Sequence, residues 1–387
     1  MFRYNLCDVL VLIHLQRAYP NEPELISEIS GNNYARLLHN LSLRLAYMGW
    51  REYALQAIQE AVGLRRQLAI DRPAIFNADL ASSLNTLSAH LSNLGHREEA
   101  LEIIREVVDL RRQLAADQPA IFNADLALSL HNHSLYLSNL GHREEALAVI
   151  REVVDLRQQL AADRPAVFNA DLASSLNTLS AYLSNLGHRE EALEIIREVV
   201  DLRRQLAADR PAILNADLAL SLHNLSLYLS NLGHREEALE VIREVVDLRR
   251  QLAADRPAVF NANLASSLNT LSTYLSNLDH REEALKVVCE AVDLHRQLAA
   301  DRPAIFNADL ALSLHNLSLY LSNLGHREEA LKFIREAVDL RRQLAADWPA
   351  IFNANLASSL NTLSTYLSNR GHREEALKVI REAVDLH

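Results

Sequence analysis

The chain has 387 residues, of which 49% are hydrophobic, 23% charged and 5% aromatic, with 9 Gly, 9 Pro and 2 Cys. Apolar content this high excludes low-complexity disorder, and two cysteines in so long a chain exclude a disulfide-stapled secreted module. A formal net charge of −11, from 39 Lys+Arg against 50 Asp+Glu, leaves no electrostatic footprint for phosphate backbones or anionic lipid, so neither nucleic acid nor membrane is an expected partner.

Residues 1–19 carry the apolar run Val9 to Ile13, closely bracketed by Asp8 and His14. The run is too short to span a bilayer, and the start has neither a basic region nor a small-residue cleavage site. A helix packed on the following repeat and a cytoplasmic location are expected. Residues 20–387 form a repeat array. Pro73, Pro119, Pro165, Pro211, Pro257, Pro303 and Pro349 stand 46 residues apart, as do Gly49, Gly95, Gly141 and Gly187. His39 to Val62 fits the same frame as a worn first copy, which makes eight copies. A longer period of 92 residues lies over this one. Copies with Asn85, Asn177, Asn269 and Asn361 alternate with copies carrying His39, His223 and His315, and His131 marks a variant of the second kind.

Within one copy Leu80, Leu84, Leu87, Leu91 and Leu94 step by four and three, which predicts a first helix with one apolar side. Asn77 is its expected N-cap, with Asp79 in the first turn, and Gly95 suits the left-handed position after the last turn. A second helix is predicted with Glu98 and Glu99 in its first turn and Arg111 and Arg112 near its end, where their charges would complement the helix dipole. Its apolar side is Ala100, Ile104, Val107, Val108 and Leu114, and Pro119 breaks it. No β pattern occurs. One hairpin cannot bury both apolar stripes, whereas stacked hairpins share a continuous core. The fold class is therefore all-α, an α-solenoid of eight tandem 46-residue helix-turn-helix repeats.

Leu84, Leu87 and Ser88, then Leu91 and Gly95 before the turn, Ala100 after it, and Ile104 and Val107 beyond resemble the tetratricopeptide repeat (TPR) family in type and spacing. SLNTLSAHLSNLGHREEALEIIREVVDLRRQL is most similar to its longer-helix branch, found in kinesin light chains. The resemblance implies a right-handed superhelix whose first helices line a concave peptide groove. Two departures stand out. Arg112 replaces the family's usual proline, so the second helix is expected to run about two turns longer. Asp279 replaces one turn glycine, a substitution that Asp tolerates at modest cost.

Carried over by position, the groove presents Ser82, Asn85, Thr86, Ala89, Ser92 and Asn93 from one type of copy. The other presents Leu128, His131, Asn132, Leu135, Ser138 and Asn139. Equivalent rungs are His39, Asn40, Asn177, His223, Asn224, Asn269, His315, Asn316 and Asn361. Asparagine amides both donate and accept, so a ladder of them can pair with the backbone of an extended peptide. Leu128 and Leu135 either form pockets between the rungs or pack on the next first helix. The bland alternative for the polar rungs is a solvated face. The seven good copies have no Lys or Arg at these positions, which argues against capture of a C-terminal carboxylate.

Catalytic and metal chemistry finds little support. Seven of the 16 histidines (His96, His142, His188, His234, His280, His326 and His372) sit in turns. With two helices per copy they are expected roughly 20 Å apart, too far to share a metal. Seven of nine glycines are in turns, leaving no phosphate loop, and no cofactor is expected. Ser, His and Asp recur in every copy, unlike a singular triad. Cys7 and Cys289 show no metal spacing, and Cys289 is expected as a partly exposed free thiol. The Asn40, Asn132, Asn224 and Asn316 glycosylation triplets fall inside predicted helices. Pairs such as Arg105 and Asp109, four apart, read as a solvated face. His133 takes the place of a seam leucine (compare Leu225 and Leu317), predicting a soft third copy. The last copy stops at His387 without the usual RRQLAAD continuation, which suggests a longer parent protein or self-association through that end.

These observations converge on a non-enzymatic scaffold that binds extended peptide or protein segments along the first helices. The resemblance, which extends to the repeat regions of signalling proteins with nucleotide-switch or caspase-like domains, implies an alternative: a regulatory or oligomerising arm of a larger signalling protein whose domain of that kind is absent from this chain.

Overall fold

A computed structural model describes residues 23–209 and 211–386. Sixteen α-helices follow one another, with no strand among the described residues. They belong to two compact units, Met1–His188 and Arg189–His387. The helix expected within residues 1–19, and Cys7 with it, lies outside the described residues.

The first unit holds α1 (Pro23–Tyr47), α2 (Arg51–Asp71), α3 (Pro73–Leu94), α4 (Arg97–Asp117), α5 (Pro119–Asn139), α6 (Arg143–Asp163) and α7 (Pro165–Asn185). The second holds α8 (Arg189–Asp209), α9 (Pro211–Asn231), α10 (Arg235–Asp255), α11 (Pro257–Asn277), α12 (Arg281–Asp301), α13 (Pro303–Asn323), α14 (Arg327–Asp347), α15 (Pro349–Asn369) and α16 (Arg373–Asp385). Odd-numbered helices through α7 and from α9 onward are first helices of a copy, and even-numbered ones are second helices. Within each unit every helix packs on its neighbours in sequence. No helix among the described residues is long and apolar enough to cross a membrane.

The leucine seam forms as its spacing predicts. Leu80, Leu84, Leu87 and Leu91 are buried, facing Ala100, Ile104, Val107 and Val108 of α4. Gly95 closes α3 with φ +89°, and its amide bonds back to Ser92. Asp279 takes the same left-handed conformation at φ 64°.

The helix start differs from expectation. α3 begins at Pro73, four residues before Asn77, which lies inside the helix, and Asp79 is not in the first turn. Proline suits the first helical position because that N–H has no intrahelical partner, and it pushes the preceding residue out of the helical region. Arg72 at φ −137°, ψ 71° is that single-residue break, without side-chain capping. The second helix likewise runs to Asp117, so Arg111 and Arg112 lie inside it and the last turn holds no basic residue.

Successive copies also sit closer than two helix diameters. First helices touch first helices, as where the Thr86 hydroxyl lies 3.2 Å from His39 Nε2. Second helices meet second helices, Arg112 donating to Glu152 at 2.8 Å. The hairpins form two layers, so one copy advances by one interaxial distance of about 8–10 Å rather than roughly 20 Å. The charges of the second helices therefore pair with Glu forty residues on, as in Arg66–Glu106 and Arg250–Glu290, instead of simply lining a solvated face.

Candidate functional site

The first-helix layer contains two kinds of position. On α5, Leu130 and Leu137 are buried in the seam, whereas Leu128 is 43% and Leu135 36% exposed. The second unit repeats this with Leu220 and Leu227 on α9 and Leu312 on α13, all exposed. Leu43 is exposed on α1. Exposed leucines thus recur in alternate copies.

Most of the polar rungs sit where consecutive first helices meet. His39 faces Ser83 through Nδ1 at 3.1 Å. Asn132 donates to Asn85 Oδ1 at 3.2 Å. Asn269 is buried and donates to Ser313 Oγ at 2.7 Å, and His315 Nδ1 lies 2.9 Å from Ser359 Oγ. His131 and His223 are half-buried, each with Nδ1 sealed from solvent and without a partner. Asn177, Asn224 and Asn316 are half-buried, whereas Asn40 and Asn361 are exposed. These side chains help build the joints between copies.

A residue that spacing alone did not single out completes each joint. Arg65, Arg111, Arg157, Arg203, Arg249 and Arg341 reach from the second helix into the next copy, and all are buried. Arg157 Nη1 donates to the Asp171 carbonyl at 2.7 Å and to Ser175 Oγ at 2.5 Å. Arg341 does the same to Asn355 at 2.8 Å and Ser359 at 2.5 Å. The signal was present in sequence: Ile104, Val108, Arg111 and Ala115 step by four, three and four, which places the arginine on the buried stripe. One joint departs, with buried His295 in place of arginine and its Nδ1 2.8 Å from Ser313 Oγ.

Burial and the adjacent guanidinium lower the His131 and His223 imidazoles to about 4, next to Arg157 and Arg249 respectively. His315 is lowered to about 4 in the same way beside Arg341. Burial pulls all six guanidinium groups below their usual value. His133 is half-buried with both ring nitrogens sealed and unbonded, and burial lowers it too.

The serines of these joints, Ser83, Ser129, Ser175, Ser267, Ser313 and Ser359, have no exposed surface. Among the described residues no group of three His, Cys, Asp or Glu is placed to hold a metal ion. Cys289 is an exposed free thiol, raised by burial and by Asp293 and Glu329, which makes it a poor nucleophile. Ser42, Ser134, Ser226 and Ser318 of the glycosylation triplets are buried within helices. α16 leaves Leu377 and Val384 exposed.

The tetratricopeptide repeat family model matches residues 80–120, 126–164, 172–210, 218–256, 310–346 and 356–387, more than half the chain. The chain belongs to the tetratricopeptide repeat family. In this TPR protein, residues 15–70 and 259–305 match a different model, that of anaphase-promoting complex subunit 5. No curated protein matches it by sequence. Among solved structures, the apo form of the quorum sensor NprR from B. thuringiensis is similar at TM-score 0.58 and 16% identity, over 98% of this chain and 96% of that one. BtubC (BKLC) from P. vanneervenii is similar at TM-score 0.52 and 18% identity, over 63% of this chain and 90% of that one. Kinesin light chain TPR-like repeats from Podosopora anserina are similar at TM-score 0.44 and 21% identity, over 57% of this chain and 96% of that one.

Proposed function

We propose that this TPR protein is a non-enzymatic scaffold that holds extended peptide or protein segments along the face made by its first helices. The observation that carries the reading is the exposure of Leu128, Leu135, Leu220, Leu227 and Leu312 on helices whose other leucines form the seam. An exposed apolar side chain costs solubility and gains nothing inside the array, so its recurrence at alternate copies suits contact with something else. Of the polar rungs, Asn40 and Asn361 are open to solvent and so available to a bound segment. Every joint serine is fully sealed or bound into a repeated structural contact, which supports binding rather than chemistry.

Within the second unit, α9 and α13 lie roughly 16–20 Å apart if each copy advances one interaxial distance. That span fits about six residues of extended chain at ~3.3 Å each. The test is a library of short synthetic peptides presented to the intact chain and to a variant with all five leucines changed to serine, after circular dichroism shows equal helicity. Selective loss of apolar peptides by the variant is expected. Identical binding by both proteins would remove the first-helix face as the site.

A further inference from the structure

The described part of the array starts with an uncovered joint. The seam leucines Leu87, Leu225 and Leu317 are buried, and each has another copy in front of it. Their counterpart on α1, Leu41, is 37% exposed. Beside it runs a groove of about 770 Å³, floored by Leu38, Leu45 and Ala57 and walled by Trp50 and Tyr53. The two rings meet edge-on with centroids 6.4 Å apart, and both are exposed. The second copy carries His96 and Glu99 at these two positions. Aromatic side chains in place of polar ones, next to an uncovered seam leucine, mark a face built for apolar cover.

The sequence before Pro23 has the form of such a cover. Later first helices start at a proline that follows a one-residue break and a second helix of 21 residues, as Pro73 follows Arg72 and Arg51–Asp71. Counted back from Pro23, this frame makes Glu22 the break and residues 1–21 the second helix. The pattern agrees. Fifty residues before the buried stripe of α2, which runs from Ala54 to Ala69, stand Tyr4, Cys7, Asp8, Val11, Leu12, Leu15 and Tyr19, apolar except for Asp8. Phe2, Leu6, Val9 and Ile13 make a second apolar stripe. A helix apolar on two sides needs more than one neighbour, and the groove offers α1 and α2. Reach fits as well. Leu41 lies 18 residues beyond Pro23, ~27 Å along α1, and a helix over residues 1–21 would span ~32 Å. Arg3 and Arg17 outnumber Asp8 in the segment, while Glu52 and Glu60 outnumber Arg51 around the groove, so the charges are complementary.

We propose that residues 1–21 form the second helix of a further half-copy and that the stripe of Phe2, Leu6, Val9 and Ile13 seats in this groove against Trp50 and Tyr53. The helix expected ahead of the first copy thereby gains a register and a seat. The aromatic wall then belongs to a joint of the array itself and is not a contact for a peptide. This inference is independent of the peptide face, whose leucines lie on other helices.

The chain has 2 Trp, and the second, Trp348, is exposed at a break. Trp348→Arg installs the residue of the Arg256 and Arg302 breaks and leaves Trp50 as the sole reporter. In that full chain acrylamide is expected to quench Trp50 several-fold less than after the further changes Leu6→Asp and Val9→Asp, with emission at shorter wavelength. Hydrogen exchange on the unsubstituted chain gives a second reading that no variant can spoil: amides of residues 5–19 are expected to exchange at least about tenfold more slowly than in an unstructured chain. Trp50→Ala is expected to reduce that protection. Equal quenching with and without the two aspartates, or exchange of residues 5–19 at the unstructured rate, overturns the inference. Shielding of Trp50 that disappears on dilution overturns it too, because the cover would then be a second copy of the chain.

Discussion

Arg157 and Asp171 belong to consecutive repeats, and the guanidinium of the first donates to the main-chain carbonyl of the second at 2.7 Å while its own residue is 6% exposed. A backbone acceptor does not depend on the side chain at its position, so the clamp survives where Asp is replaced by Asn, as at Asn263 and Asn355. Arg157→Ala removes two charge-assisted bonds and leaves a cavity between copies. A loss of about 2–3 kcal/mol at that joint is expected. Native-state hydrogen exchange is the measurement, because repeat arrays unfold locally: amides of Pro165–Asn185 are expected to exchange at least about tenfold faster than in the parent. Unchanged protection would mean the clamp is dispensable.

The same joints make stability depend on pH. His131, His223 and His315 titrate near 6.5 when unfolded but about 4 when folded, because burial and the nearby Arg157, Arg249 and Arg341 disfavour the imidazolium. Between those values the unfolded chain binds more protons, so stability is full above pH 6.5 and falls as pH drops towards 4. Each histidine accounts for up to about 3 kcal/mol across that window. His131→Asn, His223→Asn and His315→Asn together import the residue used in the alternate copies. Urea melts of this triple variant at pH 7 and pH 5 are expected to differ far less than those of the parent.

His133 occupies a seam position where the equivalent Leu225 and Leu317 are buried, and neither of its ring nitrogens finds a partner. Leaving such groups desolvated costs about 1–3 kcal/mol. α5 is therefore expected to exchange faster than α9 and α13, and His133→Leu to bring it level. Equal protection of the three helices in the parent would show that the imidazole is accommodated without cost.

The architecture was readable because periodicity states it directly: Pro73 to Pro349 count the copies, Leu84 and Ile104 define the seams, and Gly95 marks the turn. Two features depended on knowing what stands next to a helix. Asn77 has the chemistry of an N-cap, but Pro73 already starts the helix, and the chain spends one residue on the break instead of four. Asn85 and His131 read as a free ladder because their neighbours in the preceding and following copies were placed too far away. Once first helices touch, Asn85 accepts from Asn132 of the next copy, and the His131 ring is half-buried with Nδ1 sealed from solvent. The arginine row was visible on the buried stripe but resembled dipole compensation, since a charged residue in a core is plausible only when its acceptors are known.

Leu128 and Leu130 stand two residues apart on one helix with opposite fates, 43% and 0% exposed. Leu130→Ala removes side-chain volume from a closed seam, and a loss of about 2–5 kcal/mol is expected. Leu128→Ser with Leu135→Ser changes only the exposed row, so stability is expected to stay within about 0.5 kcal/mol of the parent per site. Denaturant melts of the two variants separate the roles directly. If the exposed pair proved as costly as the seam leucine, these side chains would be packing residues and no longer available to a ligand. If they are neutral for stability, any effect of their loss on peptide binding belongs to the contact itself.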